Sequence, residues 1–262
     1  MMATDPTQMQ WRPSQYNKFM GPRQQPARDL FSRIAHYQPK SITDLGCGSG
    51  EITQLLSQHW PEAAVCGFDR SGEMLASAAT LSDDITWQQG DIASWQPDQP
   101  QELIFSNAAL HWVDDHTTLF PHLLAQLPPG GLLAVQMPRN FTQPTHQLLF
   151  ETAQEAPWRA TTEPLIRRDP VGSAAYYYDL LHPLCEEITL WESHYCHVLE
   201  GENPVLAWTR GTVLGPYLEA LQGDQRAHFA QRYGNKLLAA YPKQADGKTL
   251  LTYRRLFMIV KK

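Results

Sequence analysis

The chain has 262 residues, 42% hydrophobic and 18% charged, a size and composition that fit one large folded domain with a small appended subdomain. Its formal net charge of −6 argues against a nucleic-acid-binding surface, which would need a basic patch. With no run of about 18 apolar residues and no export-type leader, a membrane span is not expected and a cytoplasmic location is.

The first 20 residues are polar and rich in Met, Gln and Pro, and read as a frayed start. Leu30, Ile34 and Ala35 then give Gln25–Tyr37 the spacing of an amphipathic helix. Alternating units follow: strand Ser41–Leu45, helix Ile52–Trp60, strand Ala64–Phe68 and helix Gly72–Ala79. The series continues with strand Ile85–Gln89, a short helix near Ser94, strand Glu102–Phe105, helix Thr117–Leu127 and strand Leu132–Gln136. Such alternation predicts a parallel sheet covered on both faces, with ligands beyond the carboxyl ends of its strands.

After Met137 the periodicity changes. Residues 141 to 183 read as helical and aromatic, followed by a β-like run from Glu187 to Leu199. Helices are expected at Pro204–Leu221 and Asp224–Tyr241, and Thr249–Val260 alternates like a strand. The two late strands are read as an antiparallel edge pair, with the helices between them as a lid. Cys47, Cys66, Cys185 and Cys196 lack any ligand-type spacing, so no metal site is expected and free thiols are.

The most informative segment is Asp44-Leu45-Gly46-Cys47-Gly48-Ser49-Gly50, between a β-prone and a helix-prone stretch. Glycines at alternate positions let main-chain groups lie against a ligand at the N-terminus of the following helix. The third glycine comes one residue early for a dinucleotide fingerprint, which disfavours a nicotinamide-dependent oxidoreductase. The spacing D-x-G-x-G-x-G instead resembles the first motif of the Rossmann-like S-adenosylmethionine-dependent methyltransferases. The second strand ends at Asp69-Arg70, where a carboxylate can accept from both ribose hydroxyls. Asp91 can accept from an adenine amino group, Ile92 and Met74 can pack on the ring, and Asn107-Ala108 fall near the methionine half. Each Asp alone is as readily a turn former or cap, and Met74 as readily core. Cys47 reads as a small filler. Trp11, Tyr16 and Arg23 precede the first helix; Arg23 suits a cofactor carboxylate.

The chain also resembles the trans-aconitate methyltransferase family nearly end to end. The matching stretches include Trp11-x-Pro13-Ser14-x-Tyr16, Ser106-Asn107-Ala108-x-Leu110-x-Trp112 and Leu119-Phe120-Pro121-His122-Leu123. Ala134-Val135-Gln136-Met137-Pro138, Pro144-Thr145-His146, Tyr177-Tyr178-Asp179, Gln231-Arg232-Tyr233, Tyr241-Pro242 and Arg255-Leu256-Phe257 continue the match. The resemblance implies esterification of one carboxylate of an unsaturated tricarboxylic acid, with S-adenosylmethionine converted to S-adenosylhomocysteine. A carboxylate needs no general base, only donors and cations that hold it. His111, Trp112, Arg139, Tyr177, Tyr195, His197, Arg210 and Arg255 are the candidates, with His111 and Trp112 also the candidates for a catalytic role, by positioning only. The chain departs from the family where Gly-Leu-Arg-Pro is replaced by Val213-Leu214-Gly215-Pro216, and where the Asp after Met-Pro is Arg139.

The expected fold is therefore α/β: a Rossmann-like, doubly wound, mostly parallel seven-stranded sheet with an antiparallel edge hairpin and a helical lid insertion. Residues 1–24 are expected to cover the cofactor site and 25–140 to form the core. Residues 141–186 and 203–248 would form the lid, and 187–202 with 249–262 the edge strands. The partner is a small polycarboxylate, with no nucleic acid, membrane or obligate protein partner. The competing readings are a malonyl-carrier-protein methyltransferase, which needs a basic docking rim, and a module that binds the cofactor without catalysis.

Overall fold

The computed structural model describes residues 20–262, with side chains from residue 24 onward. Strands β1 (Ser41–Leu45), β2 (Ala64–Asp69), β3 (Thr86–Gln89), β4 (Leu103–Asn107), β5 (Leu132–Pro138), β6 (Glu187–Leu199) and β7 (Thr249–Lys261) form one sheet. Its order is β3-β2-β1-β4-β5-β7-β6. The pairs β2–β3, β1–β2, β1–β4 and β4–β5 are parallel, and β7 runs antiparallel to β5. The first residues of β6 meet the last of β7 through Glu186 N–H to the Lys261 carbonyl, 2.8 Å. The opposite ends meet through Lys248 and Glu200, at 2.9 Å. The edge pair is therefore antiparallel, as the alternating sequence predicts.

The strand order reverses between β1 and β4, because β1 is followed by β2 on one side and β4 lies on the other. That reversal opens a crevice at the carboxyl ends of the strands, where ligands of open α/β sheets bind. Strands β1, β4 and β5 are buried almost throughout, and so read as continuous apolar runs. Helices Met20–Ile34, Glu51–His59, Gly72–Ala78 and His116–Ala125 follow the expected positions within a few residues at most ends. The frayed start expected for the first residues lies outside the described part of the chain.

The chain divides into two compact units. One holds residues 24–138, 170–193 and 255–262, and thus the parallel sheet. The helix Ala174–Leu181, read from sequence as part of the lid, belongs to this sheet unit. The other unit includes 139–169 and 194–254. Its core gathers Leu149, Trp208, Tyr217, Phe229, Tyr233 and Leu237 from helices Pro144–Ala153, Pro204–Arg210, Gly215–Ala220 and Asp224–Ala240, with Trp158 from the segment after the first of them. The helix expected over Pro204–Leu221 is two helices. Gly211, the β-branched Thr212 and Val213, and Pro216 at the start of the second segment break it. In this unit Arg232 and Lys236 pair with Glu155 at 2.8 and 2.9 Å, tying helix Asp224–Ala240 to the end of Pro144–Ala153.

Candidate active site

At the carboxyl end of β1 the chain turns through Gly46, Gly48 and Gly50 at φ +78, +55 and +86, the left-handed region that favours glycine. A Cβ at Gly46 would overlap that of Ala109, which follows β4, and would lie 3.7 Å from Ile92, which follows β3. The ends of three strands therefore close on this one glycine. A Cβ at Gly50 would come within 2.6 Å of Trp87 and 2.8 Å of Ala78. At Gly48 it would meet nothing within 4 Å, so the bend has an open backbone face there.

Asp69 fixes the bend. Its Oδ2 accepts from Gly48 N–H at 2.9 Å, and its Oδ1 accepts from Ser71 N–H at 2.9 Å. Each carboxylate oxygen keeps a further acceptor site. Gly46 N–H donates to the Phe68 carbonyl at 2.7 Å, so β2 holds the bend through both backbone and side chain. Asp44 plays a different part from the one its motif position suggests. It is only 2% exposed, and Thr53 on the following helix donates to its Oδ2 at 2.7 Å. Burial, against the Thr53 hydrogen bond, raises its carboxyl to about 7. Asp44 thus joins the bend to the helix behind it. Burial also pushes the Cys47 thiol up, above all other causes, so no thiolate is available in the bend.

The other strand ends complete the arrangement in this unit. Asp91 is exposed and caps Ala93 N–H at 2.9 Å, and Ile92 is half-buried beside Gly46. Met74 is buried in the first turn of Gly72–Ala78, whereas the Arg70 side chain is exposed. After β4, Ala108 sits at φ +53, a strained value for a residue with a Cβ, and its N–H donates to the Gln136 carbonyl at 2.9 Å. His111 is buried and Trp112 half-buried, their rings 4.8 Å apart. Trp11 and Tyr16 lie outside the described residues, as does the side chain of Arg23.

Tyr177 does not meet the expectation of an acceptor contact. It has no exposed surface, and its hydroxyl lies 2.6 Å from His116 Nδ1 and 3.3 Å from Gly172 N–H. Arg255 pairs in register with Pro138, which puts it on the same sheet face as Gln136 and Asn107. The remaining acceptor candidates lie in the other unit. There Arg139 and Tyr195 are half-buried, His197 stacks on Trp208 at 4.5 Å, and Arg210 ends its helix exposed.

Two residues escaped the sequence reading. Trp87 is the floor under Gly50 and Gly67. Gln136 is 1% exposed on β5, and neither of its side-chain polar atoms has a hydrogen-bond partner; the same holds for Asn107 Oδ1. An amide inside an apolar strand was the signal that could have marked it.

Residues 42–131 match the family model described as a methyltransferase domain. The chain is 43% identical to a trans-aconitate 2-methyltransferase of Azoarcus sp. over 95% of its own length and 98% of the relative's. It is 42% identical to the trans-aconitate 2-methyltransferase of Yersinia pestis, over 95% of this chain and 97% of that one. Among solved structures it is similar to the plantazolicin methyltransferase BpumL in complex with S-adenosylhomocysteine. That match has a TM-score of 0.54 and 13% identity, covering 95% of this chain and 88% of that one, and so speaks for the fold. With glycine bend, strand order and near full-length likeness in agreement, the chain belongs to the trans-aconitate 2-methyltransferase family and is a methyltransferase.

Proposed function

We propose that the protein transfers a methyl group from S-adenosylmethionine to a carboxylate of a small polycarboxylic acid, with trans-aconitate the first candidate. The observation that carries this reading is the bend Gly46–Gly50 clamped to Asp69, with an open backbone face at Gly48. Asp69 has acceptor sites left for two ribose hydroxyls, and Asp91 and Ile92 are the groups for the adenine amino edge and ring. Asn107 and Ala108 serve the methionine end. Near-complete coverage by relatives named for trans-aconitate supports that acid.

When bound, S-adenosylmethionine supplies an electrophilic methyl, whose bond to sulfur breaks as its bond to the acceptor oxygen forms, leaving a methyl ester and S-adenosylhomocysteine. The acceptor carboxylate is already ionised near neutral pH, so no side chain has to remove a proton. The work of the protein is alignment and the exclusion of water. His111, Trp112 and Arg255, all in the sheet unit, are the donors and cations proposed to hold the acid. A guanidinium suits this role because its planar fork meets a carboxylate at both oxygens.

The test is turnover of the purified protein with S-adenosylmethionine and a panel of di- and tricarboxylates, with the product identified by mass spectrometry. The expected result is S-adenosylhomocysteine release that depends on trans-aconitate and yields its monomethyl ester. Release with no acid in the panel would refute the assignment, and turnover on a malonyl carrier protein alone would move the acceptor to that class.

A further inference from the structure

Asn107 and Gln136 face each other in register across β4 and β5, at the carboxyl ends of strands beside the order reversal. Residues in register share a sheet face and stand about 4.8 Å apart. Gln136 is nine-tenths buried and more, yet its Nε2 and Oε1 both lack partners, and Asn107 Oδ1 lacks one too. On the other flank Gln136 pairs with Phe257, whose ring, stacked on Trp191 at 4.7 Å, carries no hydrogen-bonding group of its own. A buried amide left in this state lowers stability, and an apolar side chain of the same size would not. Such a group makes physical sense when a ligand completes it.

The unsatisfied set has one donor and two acceptors. It fits neither a lone anion nor a lone cation, but it fits the junction of the two. We propose that Gln136 is a specificity-determining residue that touches both ligands: its Nε2 donates to a carboxylate of the acceptor, and its Oε1, with Asn107 Oδ1, accepts from the ammonium of the methyl donor's amino-acid end. Arg255 lies on the same sheet face, diagonally across on β7 opposite Pro138, about 7–8 Å from Gln136. Both side chains are long enough to converge from that distance, so the amide and the guanidinium can each take one carboxylate of a short acid. Ala108 supports the seat from below, its N–H fixed on the Gln136 carbonyl in a strained left-handed turn. This inference rests on the carboxylate reading given above.

The test uses the full chain with Gln136→Glu and Gln136→Met. Thermal melting without ligands, S-adenosylhomocysteine affinity by calorimetry, and steady-state kinetics with trans-aconitate are measured for each. Gln136→Glu keeps the acceptor oxygens but sets a like charge against the acid. Its KM for trans-aconitate should rise roughly 100-fold, with S-adenosylhomocysteine affinity within about threefold of the parent. Gln136→Met removes the unpaired amide, so the ligand-free protein should melt higher while kcat/KM falls roughly 10- to 100-fold. An acceptor KM unchanged in Gln136→Glu, or a melting temperature unchanged or lowered in Gln136→Met, would overturn the assignment. If the parent binds S-adenosylhomocysteine but turns over no carboxylic acid, the carboxylate reading itself fails. The melting shift of Gln136→Met then still decides whether the amide is a ligand seat.

Discussion

The hydroxyl of Tyr177 and Nδ1 of His116 lie 2.6 Å apart, joining the helix Ala174–Leu181 to the start of His116–Ala125. His116 Nε2 is 3.0 Å from the Leu110 carbonyl, which can only accept, so Nε2 carries the proton. Nδ1 is then the acceptor and Tyr177 donates to it, while Gly172 N–H donates to the Tyr177 oxygen. The chain of bonds ends on the turn Leu110–Trp112, which holds two of the acceptor candidates.

Tyr177→Phe should therefore act on stability before it acts on the acceptor. It leaves His116 Nδ1 buried without its donor, a loss of about 1–3 kcal/mol. Urea denaturation checks this. Unchanged stability together with a large rise in acceptor KM would mean that the hydroxyl contacts substrate after all.

Asp69→Ala should weaken S-adenosylhomocysteine binding by roughly 10- to 100-fold, because it removes a charged acceptor and frees Gly48 N–H and Ser71 N–H. The strands stay paired, so the far-ultraviolet circular dichroism should be unchanged. Calorimetry reads the affinity directly, and an unaltered value would remove Asp69 from the site.

Asp44 predicts a pH dependence of known sign. Its carboxyl is raised from 3.8 to about 7 in the folded protein, chiefly by burial. The unfolded chain loses this proton first, so the stability that comes from holding the proton is complete below about pH 4. It declines as the pH rises toward 7 and is gone above it, an effect on the order of 4 kcal/mol. Asp44→Asn keeps an acceptor for Thr53 and carries no charge. The difference in unfolding free energy between variant and parent should grow in the variant's favour from pH 4 to pH 7 and then level off. A difference that stays constant across that range would show that Asp44 is charged throughout.

The family resemblance implies an arginine at the position where this chain has Gly215. A Cβ there meets nothing nearer than the Arg210 carbonyl at 3.9 Å, and its φ is not in the left-handed region. Gly215→Arg should fold with stability equal to the parent or higher by up to about 1 kcal/mol, as expected for removing glycine from a helix. If this helix end serves the acid, KM for trans-aconitate should fall several-fold. Steady-state kinetics on the variant decide it.

The sheet was legible in the sequence because short apolar runs alternated with amphipathic helices, and the bend because glycine is favoured at its three alternate left-handed positions. Asp69 was legible because it ends a strand beside that bend. What sequence could not give was which way a side chain turns. Tyr177 and Asp44 sit in suggestive motifs, yet both turn inward onto His116 and Thr53. Gln136 is buried as well, one polar residue among the apolar ones of Ala134–Pro138, and only its missing partners reveal it. The division into units escaped periodicity too, since two of its boundaries fall inside the continuous strands β6 and β7.

The most direct measurement is a crystal structure of the protein soaked with S-adenosylhomocysteine. The account predicts density lying along the Gly46–Gly50 bend, with both ribose hydroxyls on the carboxylate of Asp69 and the amino-acid end beside Asn107 and Gln136. Density lodged elsewhere, or a bend left bare at a saturating concentration of the compound, would contradict it.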